Sequence, residues 1–343
     1  MRIKLQYNLE NIGNIDKASI TIKPLTIIAG ENSSGKTFVT KSLYTILDSV
    51  YKNHLLEEPI NNILNIGFKK NFQITNLQNL INQNQQKNLK LSLETLGTIE
   101  IDKNQKIQFH TENSTVNLVD SLNNIIFFDS PVYIKIRKAL EKSKNSRFSQ
   151  FDKDEDKYLK GYPQYLDQLY DYIDKEYIDI PEFYVISQEI QEIIQGKLEV
   201  SNSGEISYTD TNNNTIPLSL TAMGISNIGL IDLLLRNNII NKGSFLIMDE
   251  PEVHLHPEWQ VVMAQILYKI AKNGANVIIA THSLDFLKAF ENILKEDKKA
   301  EEIIAINKMP YDEEFTDLSE LEKVGIVLDD LSKPFYDLYM QDI

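Results

Sequence analysis

The sequence contains no cysteine. That excludes disulfides, zinc–thiolate sites, iron–sulfur clusters and cysteine nucleophiles. Histidine is scarce, with five in 343 residues, and only His254 and His256 stand close together. No apolar run reaches the roughly 18 residues of a membrane-spanning helix, so no membrane contact is expected. The opening Met1-Arg2-Ile3-Lys4-Leu5-Gln6 lacks the apolar stretch of a signal peptide. A cytoplasmic protein is the expectation. Basic residues are outnumbered, 35 Lys and Arg against 49 Asp and Glu, for a net charge of −14. Bulk charge therefore does not favour DNA or anionic lipid, and strong direct DNA binding by this chain alone is not expected. No repeat with a period of roughly 20–50 residues is present, which excludes a solenoid. Sustained heptads are missing too, which excludes a long coiled-coil arm. What remains is a chain of ordinary globular composition, 42% hydrophobic, long enough to bury a full core.

Short apolar runs bounded by turn residues predict strands at Arg2–Leu9, Ala18–Ile22 and Leu25–Ala29. The third run ends in Gly30-Glu31-Asn32-Ser33-Ser34-Gly35-Lys36-Thr37, and Val39, Leu43, Ile46, Leu47 and Val50 then follow at helical spacing. Gly30–Thr37 fits the pattern G-x-x-x-x-G-K-[ST] between a strand and a helix. Glycines let the backbone wrap so that amide N–H groups face phosphate oxygens, and the helix start adds its positive dipole end. Lys36 would reach the β- and γ-phosphates, and the Thr37 hydroxyl would ligate magnesium. Alternation about Lys103-Asn104 predicts one hairpin, and Asn202-Ser203-Gly204 turns another within Leu198–Tyr208. Ile125–Phe128 reads as a strand closed by Asp129-Ser130-Pro131. Residues 55–88, rich in Asn and Gln, read equally as helix or irregular chain.

Two further strands deliver polar groups at their carboxyl ends. Phe245-Leu246-Ile247-Met248 leads to Asp249-Glu250, and Ile278-Ile279-Ala280-Thr281 leads to His282. Open α/β sheets bind ligands at that edge. Asp249 would hold the magnesium and Glu250 would orient and deprotonate a water, while His282 would contact the γ-phosphate. The plain alternatives are an acidic strand end capping the next helix and a loop histidine without a ligand. His254 and His256 could form a metal site near Glu252 or serve local structure or an interface. The tyrosine-rich acidic stretch from Asp152 to Tyr184, with Tyr158, Tyr162, Tyr165, Tyr170, Tyr172 and Tyr177, reads as a solvated helical face with its tyrosines half-packed, or as a partner surface.

Taken together, the phosphate loop, the strand ending Asp249-Glu250-Pro251-Glu252, His254-Leu255-His256-Pro257 and Ala280-Thr281-His282-Ser283 resemble ABC-type ATPase heads of the SMC-like class. Within that class the pattern is most similar to the ATPase part of OLD (overcoming-lysogenization-defect) proteins and related AAA-type ATPases of bacterial defence. The resemblance covers residues 1–50 and about 215–290 well. It implies an α/β P-loop NTPase fold of ABC-ATPase type, a mixed sheet with an N-terminal β lobe and an inserted helical subdomain. The head would comprise residues 1–50 and 205–343, with a β-rich lobe at 51–130 and a helical, acidic, Tyr-rich subdomain at 131–204. It further implies ATP and Mg2+ as ligands, and a homodimer that sandwiches ATP between one protomer's phosphate loop and the other's signature loop. That signature position falls at Leu218–Gly224, where only Gly224 matches the usual motif and Ser219 or Thr221 would supply the serine role. The class's glutamine has no counterpart, leaving Asp129 or Ser130 in its place.

Three functions follow as expectations. The first is an ATP-driven dimer switch in bacterial anti-phage defence or DNA maintenance, acting on a separate effector such as a nuclease or toxin. Asp329-Asp330 stand in a tail too short for the nuclease domain that OLD proteins carry, so no nuclease activity is expected of this chain. The second is a nucleotide-dependent scaffold that does not hydrolyse. The third, a transporter ATPase subunit, is disfavoured by the missing signature and glutamine.

Overall fold

A tight hairpin opens the computed structural model, which describes residues 4–56, 58–84, 87–111, 122–129, 162–175 and 181–341. Strands β1 (Leu5–Ile12) and β2 (Ile15–Ile22) run antiparallel, paired from Leu5↔Ile22 to Ile12↔Ile15. Strand β3 (Leu25–Gly30) follows, its six residues all buried. Helix α1 (Lys36–Leu56) starts at the lysine of the phosphate loop, and α2 (Ile60–Phe72) packs back on it. Strands β4 (Leu89–Leu93), β5 (Gly97–Ile101) and β6 (Ile107–Thr111) extend the hairpin into one antiparallel sheet of order β2-β1-β4-β5-β6.

The remainder supplies parallel strands and covering helices. Strand β7 (Ile125–Phe128) precedes helices α3 (Gln164–Ile173) and α4 (Tyr184–Ile194) among the described residues. Strands β8 (Gly196–Val200), β9 (Ile206–Asp210) and β10 (Thr215–Pro217) form a three-stranded antiparallel sheet. Helix α5 (Met223–Arg236), strand β11 (Phe245–Asp249), helix α6 (Pro257–Lys272), strand β12 (Asn276–Thr281) and helix α7 (Leu284–Glu296) come next. Strand β13 (Ile304–Met309) and helix α8 (Glu320–Gln341) complete the described chain.

The central sheet has the order β13-β3-β12-β11-β7, every neighbouring pair parallel. A parallel sheet is covered on both faces, so its strands are apolar throughout. Alternate residues supply two separate cores. Leu25, Ile27, Leu246, Met248, Val277 and Ile279 face the core built with α5, α6 and α7. Ile28, Phe245, Ile247 and Ile278 face the core shared with α1 and the antiparallel sheet. Each such large side chain contributes roughly 1.5–3 kcal/mol by leaving water. At the β13 edge, α8 is held by charge: Glu320 pairs with Lys23 at 2.8 Å and Lys323 at 3.6 Å, and accepts the Ile306 N–H at 2.7 Å.

The α/β class is as expected, with parallel and antiparallel strands sorted into different sheets. Sheet membership cuts across the boundaries read from sequence. β7 lies inside the head's central sheet rather than in a 51–130 lobe, because its four apolar residues pair with β11 from Ile125↔Phe245 to Phe128↔Met248. β1 and β2, assigned to the head, share a sheet with β4–β6. The first strand is shifted from Arg2–Leu9 to Leu5–Ile12, and Arg2 lies outside the described residues. The tyrosine face requires correction. Tyr165, Tyr170 and Tyr172 are core residues, not a solvated face, because α3 packs on β7 and the Tyr165 ring lies tilted against Phe127 at a centroid distance of 4.6 Å. Tyr158, Tyr177 and the rest of residues 152–161 and 176–180 lie outside the described residues.

Candidate nucleotide site

The phosphate loop joins the carboxyl end of β3 to the amino end of α1. A Cβ on Gly30 would meet the Met309 carbonyl oxygen at 2.0 Å, so only glycine lets β3 and β13 end side by side there. Gly35 has φ +100°, where a side chain is strained, and its Cβ would meet Ile15 Cγ1 at 2.7 Å. Between them Ser33 takes φ 62°, a left-handed conformation held by Asn14 Nδ2 donating to its carbonyl at 2.5 Å. The turn of the first hairpin thus braces the loop. Glu31, Asn32 and Ser33 are exposed, and the Ser34 hydroxyl is buried without a hydrogen-bond partner among the described residues.

Lys36 is folded into its own loop. Its ammonium donates to the carbonyls of Gly30 at 2.9 Å and Glu31 at 2.7 Å. Burial lowers its pKa, and the nearby carboxylates of Glu250, Asp249 and Glu252 oppose that shift. The first-turn lysine and the carboxyl end of β11 therefore share one electrostatic environment. The carboxylates lie along a strand two places from β3 in the sheet, with β12 between them.

Asp249 is strongly perturbed by its burial. Burial pushes its carboxyl up from 3.8 to about 6, with Asp129 and Glu250 adding to the rise and a hydrogen bond to Thr37 opposing it. Its Oδ1 is buried without a hydrogen-bond partner among the described residues. A buried carboxylate beside a hydroxyl, with an orphaned oxygen, has the donor chemistry of a divalent-cation site. The residues fit magnesium, with Thr37 and Asp249 as the protein oxygens able to hold it.

Glu250 takes φ 52°, in the left-handed region that non-glycine residues rarely enter, and its N–H donates to the Ala280 carbonyl at 2.9 Å. Such outliers persist only where the surroundings fix them. Here the fixed turn aims the side chain at the next strand end: His282 Nδ1 lies 2.9 Å from Glu250 Oε1, with both side chains partly exposed. His282 Nδ1 is itself buried and without a hydrogen-bond partner among the described residues, while the partly exposed carboxylate can accept a proton from a water and the imidazole can donate to a phosphate oxygen.

The other expected residues are placed unevenly. Asp129, at the end of β7, accepts from the Tyr165 hydroxyl at 2.8 Å and lies 3.8 Å from the Lys41 ammonium. Ser130 lies outside the described residues. In the signature stretch Ser219 is exposed, while Thr221 is buried and its hydroxyl donates to the Pro217 carbonyl at 3.1 Å. Gly224, in the first turn of α5, has room for a Cβ, which would sit 3.6 Å from Leu255 and Trp259. His254 is an exposed turn residue with φ 67°, and His256 caps α6 through its carbonyl. Asp330 pairs with Lys308 at 2.6 Å. Lys41 is not among the residues singled out from the sequence, and Tyr165 is among them only as part of the tyrosine-rich stretch. Lys41 was legible only as a helix lysine five residues after Lys36.

Residues 25–288 match the family described as "AAA domain, putative AbiEii toxin, Type IV TA system". The chain belongs to this family. It is an AAA-type P-loop ATPase domain, a nucleotide-binding class. No curated protein matches the sequence. Among solved structures, the chain is similar to the Smc head domain of Pyrococcus furiosus bound to the C-terminal domain of ScpA, at 14% identity and a TM-score of 0.49, covering 84% of this chain and 92% of that one. It is similar to the SMC head domain of Thermotoga maritima at 14% identity and a TM-score of 0.46, with the same coverage of 84% and 92%. A third, an Smc head bound to the C-winged helix domain of ScpA, shares 12% identity at a TM-score of 0.49, covering 83% and 90%. No described helix is long and apolar enough to cross a membrane.

Proposed function

We propose that the chain binds ATP with Mg2+ and hydrolyses it, acting as a nucleotide-driven switch that pairs two copies of the head. The observation that carries this reading is convergence: Gly30–Thr37, Asp249-Glu250 and His282 sit at the carboxyl ends of three adjacent parallel strands, β3, β11 and β12. Amides of the loop, with Gly30 and Gly35 shaping it, cradle the phosphates. Lys36 leaves its carbonyl partners for the β- and γ-phosphate oxygens. Thr37 and Asp249 hold the magnesium. When bound, the metal offsets charge on the phosphates. Glu250 accepts a proton from the attacking water, and His282, held beside it, contacts the γ-phosphate.

Dimerisation through Ser219, Thr221 and Gly224 is the matching part of the proposal. Gly224 supports it, since nothing among the described residues requires glycine there. Thr221, turned to the Pro217 carbonyl, leaves Ser219 as the hydroxyl available to a second copy. The setting we infer is bacterial defence or DNA maintenance with a separate effector protein. The family's description, which names a putative toxin of a type IV toxin–antitoxin system, supports the defence setting but not the separate effector. Light scattering tests the switch. A Glu250→Gln protein with Mg·ATP should double in mass from 39.5 kDa, and the added Lys36→Ala change should prevent it. A monomer at saturating ATP contradicts the dimer.

A further inference from the structure

Glu252, Thr281, Ser283 and Gln260 close a ring of hydrogen bonds around the segment that carries His282. Thr281 Oγ1 donates to Glu252 Oε1 and accepts the Ser283 N–H at 3.1 Å. Ser283 Oγ donates to Gln260 Oε1 at 2.7 Å, and Gln260 Nε2 donates to the Leu255 carbonyl at 3.2 Å. The Leu255 N–H donates to the Glu252 carbonyl at 3.0 Å, returning the ring to the residue where it began. Ser283 also caps α7 by accepting the Phe286 N–H, so the ring is tied to a 13-residue helix. Thr281 is fully buried and Glu252 is 4% exposed.

A buried carboxylate is a poor way to gain stability alone. Burial pushes the Glu252 carboxyl up, and its Oε2 has no hydrogen-bond partner among the described residues. Apolar side chains of similar volume would hold two loops together at lower cost. A directional bond adds geometry. The segment after Glu250 and the segment through His282 are the two arcs of the ring, and the 2.9 Å approach of Glu250 to His282 bridges them.

We infer that Glu252 is a positioning residue for nucleotide hydrolysis: through Thr281 it fixes the backbone on both sides of His282 and so sets the imidazole against Glu250. This rests on the hydrolytic reading given above. A displacement of about 1 Å at a reacting group can cost roughly a hundredfold in rate.

The test is steady-state ATP turnover together with nucleotide affinity. Thr281→Val removes both hydroxyl bonds at constant volume, and Glu252→Ala removes the acceptor. Each should lower kcat roughly ten- to hundredfold while ATP affinity stays unchanged. Thr281→Ser and Glu252→Gln keep a hydroxyl and an acceptor oxygen, and each should recover most of the lost turnover. In a His282→Ala background, Thr281→Val should subtract nothing more. The proposal is overturned if Thr281→Val keeps the wild-type kcat, lowers it equally without His282, or weakens ATP binding in proportion. If Thr281→Val does not fold, the Glu252→Ala and Glu252→Gln pair decides by the same criteria. Unchanged turnover in both Glu250→Gln and His282→Ala would overturn the hydrolytic reading itself, a distinct result.

Discussion

Replacing Asp249 with asparagine should stabilise the nucleotide-free protein while abolishing its response to magnesium. The Asp249 side chain is 7% exposed by residue and its carboxyl is raised from 3.8 to about 6 by burial. At 1.36 kcal/mol per unit, holding that group ionised at pH 7 costs the fold about 3 kcal/mol. The folded state binds the proton more tightly, so stability is full below pH 3.8, declines as pH rises through about 6, and is lowest above it. The substitution removes the charge and can keep the bond to Thr37, so Asp249→Asn should melt a few degrees higher at pH 7 without metal. The advantage should fade towards pH 4, where the wild-type group is protonated. With Mg·ATP the order should reverse, since only the wild type gains stability from the bound complex. Differential scanning fluorimetry across pH 4–8, with and without Mg·ATP, measures this. An Asp249→Asn protein that melts no higher than wild type at pH 7, or whose difference is constant with pH, refutes the reasoning.

Lys36→Ala should abolish binding of a fluorescent ATP analogue, because the phosphates lose their one first-turn ammonium; retained tight binding contradicts the phosphate-loop assignment. Glu320→Ala should destabilise the protein by about 3 kcal/mol, since it removes the carboxylate that pairs with the buried Lys323 ammonium and accepts the Ile306 N–H, while the half-buried Lys23 keeps its bond to the Glu301 carbonyl. Urea unfolding checks it, and a change below about 1 kcal/mol would mean the pairs are screened. Asp297 is held low, near 2, by Lys272, the Lys299 N–H and Tyr268. Stability it contributes is present above pH 3.8 and lost as pH falls through about 2, so Asp297→Asn should lower the Tm at pH 7 and converge with wild type in acid; a pH-independent difference contradicts this.

The sequence signals that succeeded were local ones. Apolar runs ending in Gly30, Asp249 and Thr281 became three strands of one parallel sheet, and the turns near Lys103-Asn104 and Asn202–Gly204 became hairpins. Signals that depend on partners failed. Nothing within Ile125–Phe128 says that it pairs with β11 rather than with β6, so its place in the central sheet was not legible. Helix α2 was hidden because asparagines and lysines surround its buried Ile63, Leu64 and Phe68. The tyrosines of α3 looked amphipathic, yet Tyr44 and Tyr165 bury their rings together and satisfy their hydroxyls on Gln168 and Asp129. In the site, motif residues were legible one by one. The ring joining Glu252 to Thr281 spans 29 residues of sequence, and no spacing rule reveals it.

The central claim is that Glu250, aimed by its left-handed turn at His282, removes the proton from the attacking water. ATP turnover by Glu250→Gln against wild type tests it most directly. The variant should bind Mg·ATP normally and turn it over roughly 10²–10⁴-fold more slowly. Equal rates in the two proteins would contradict it.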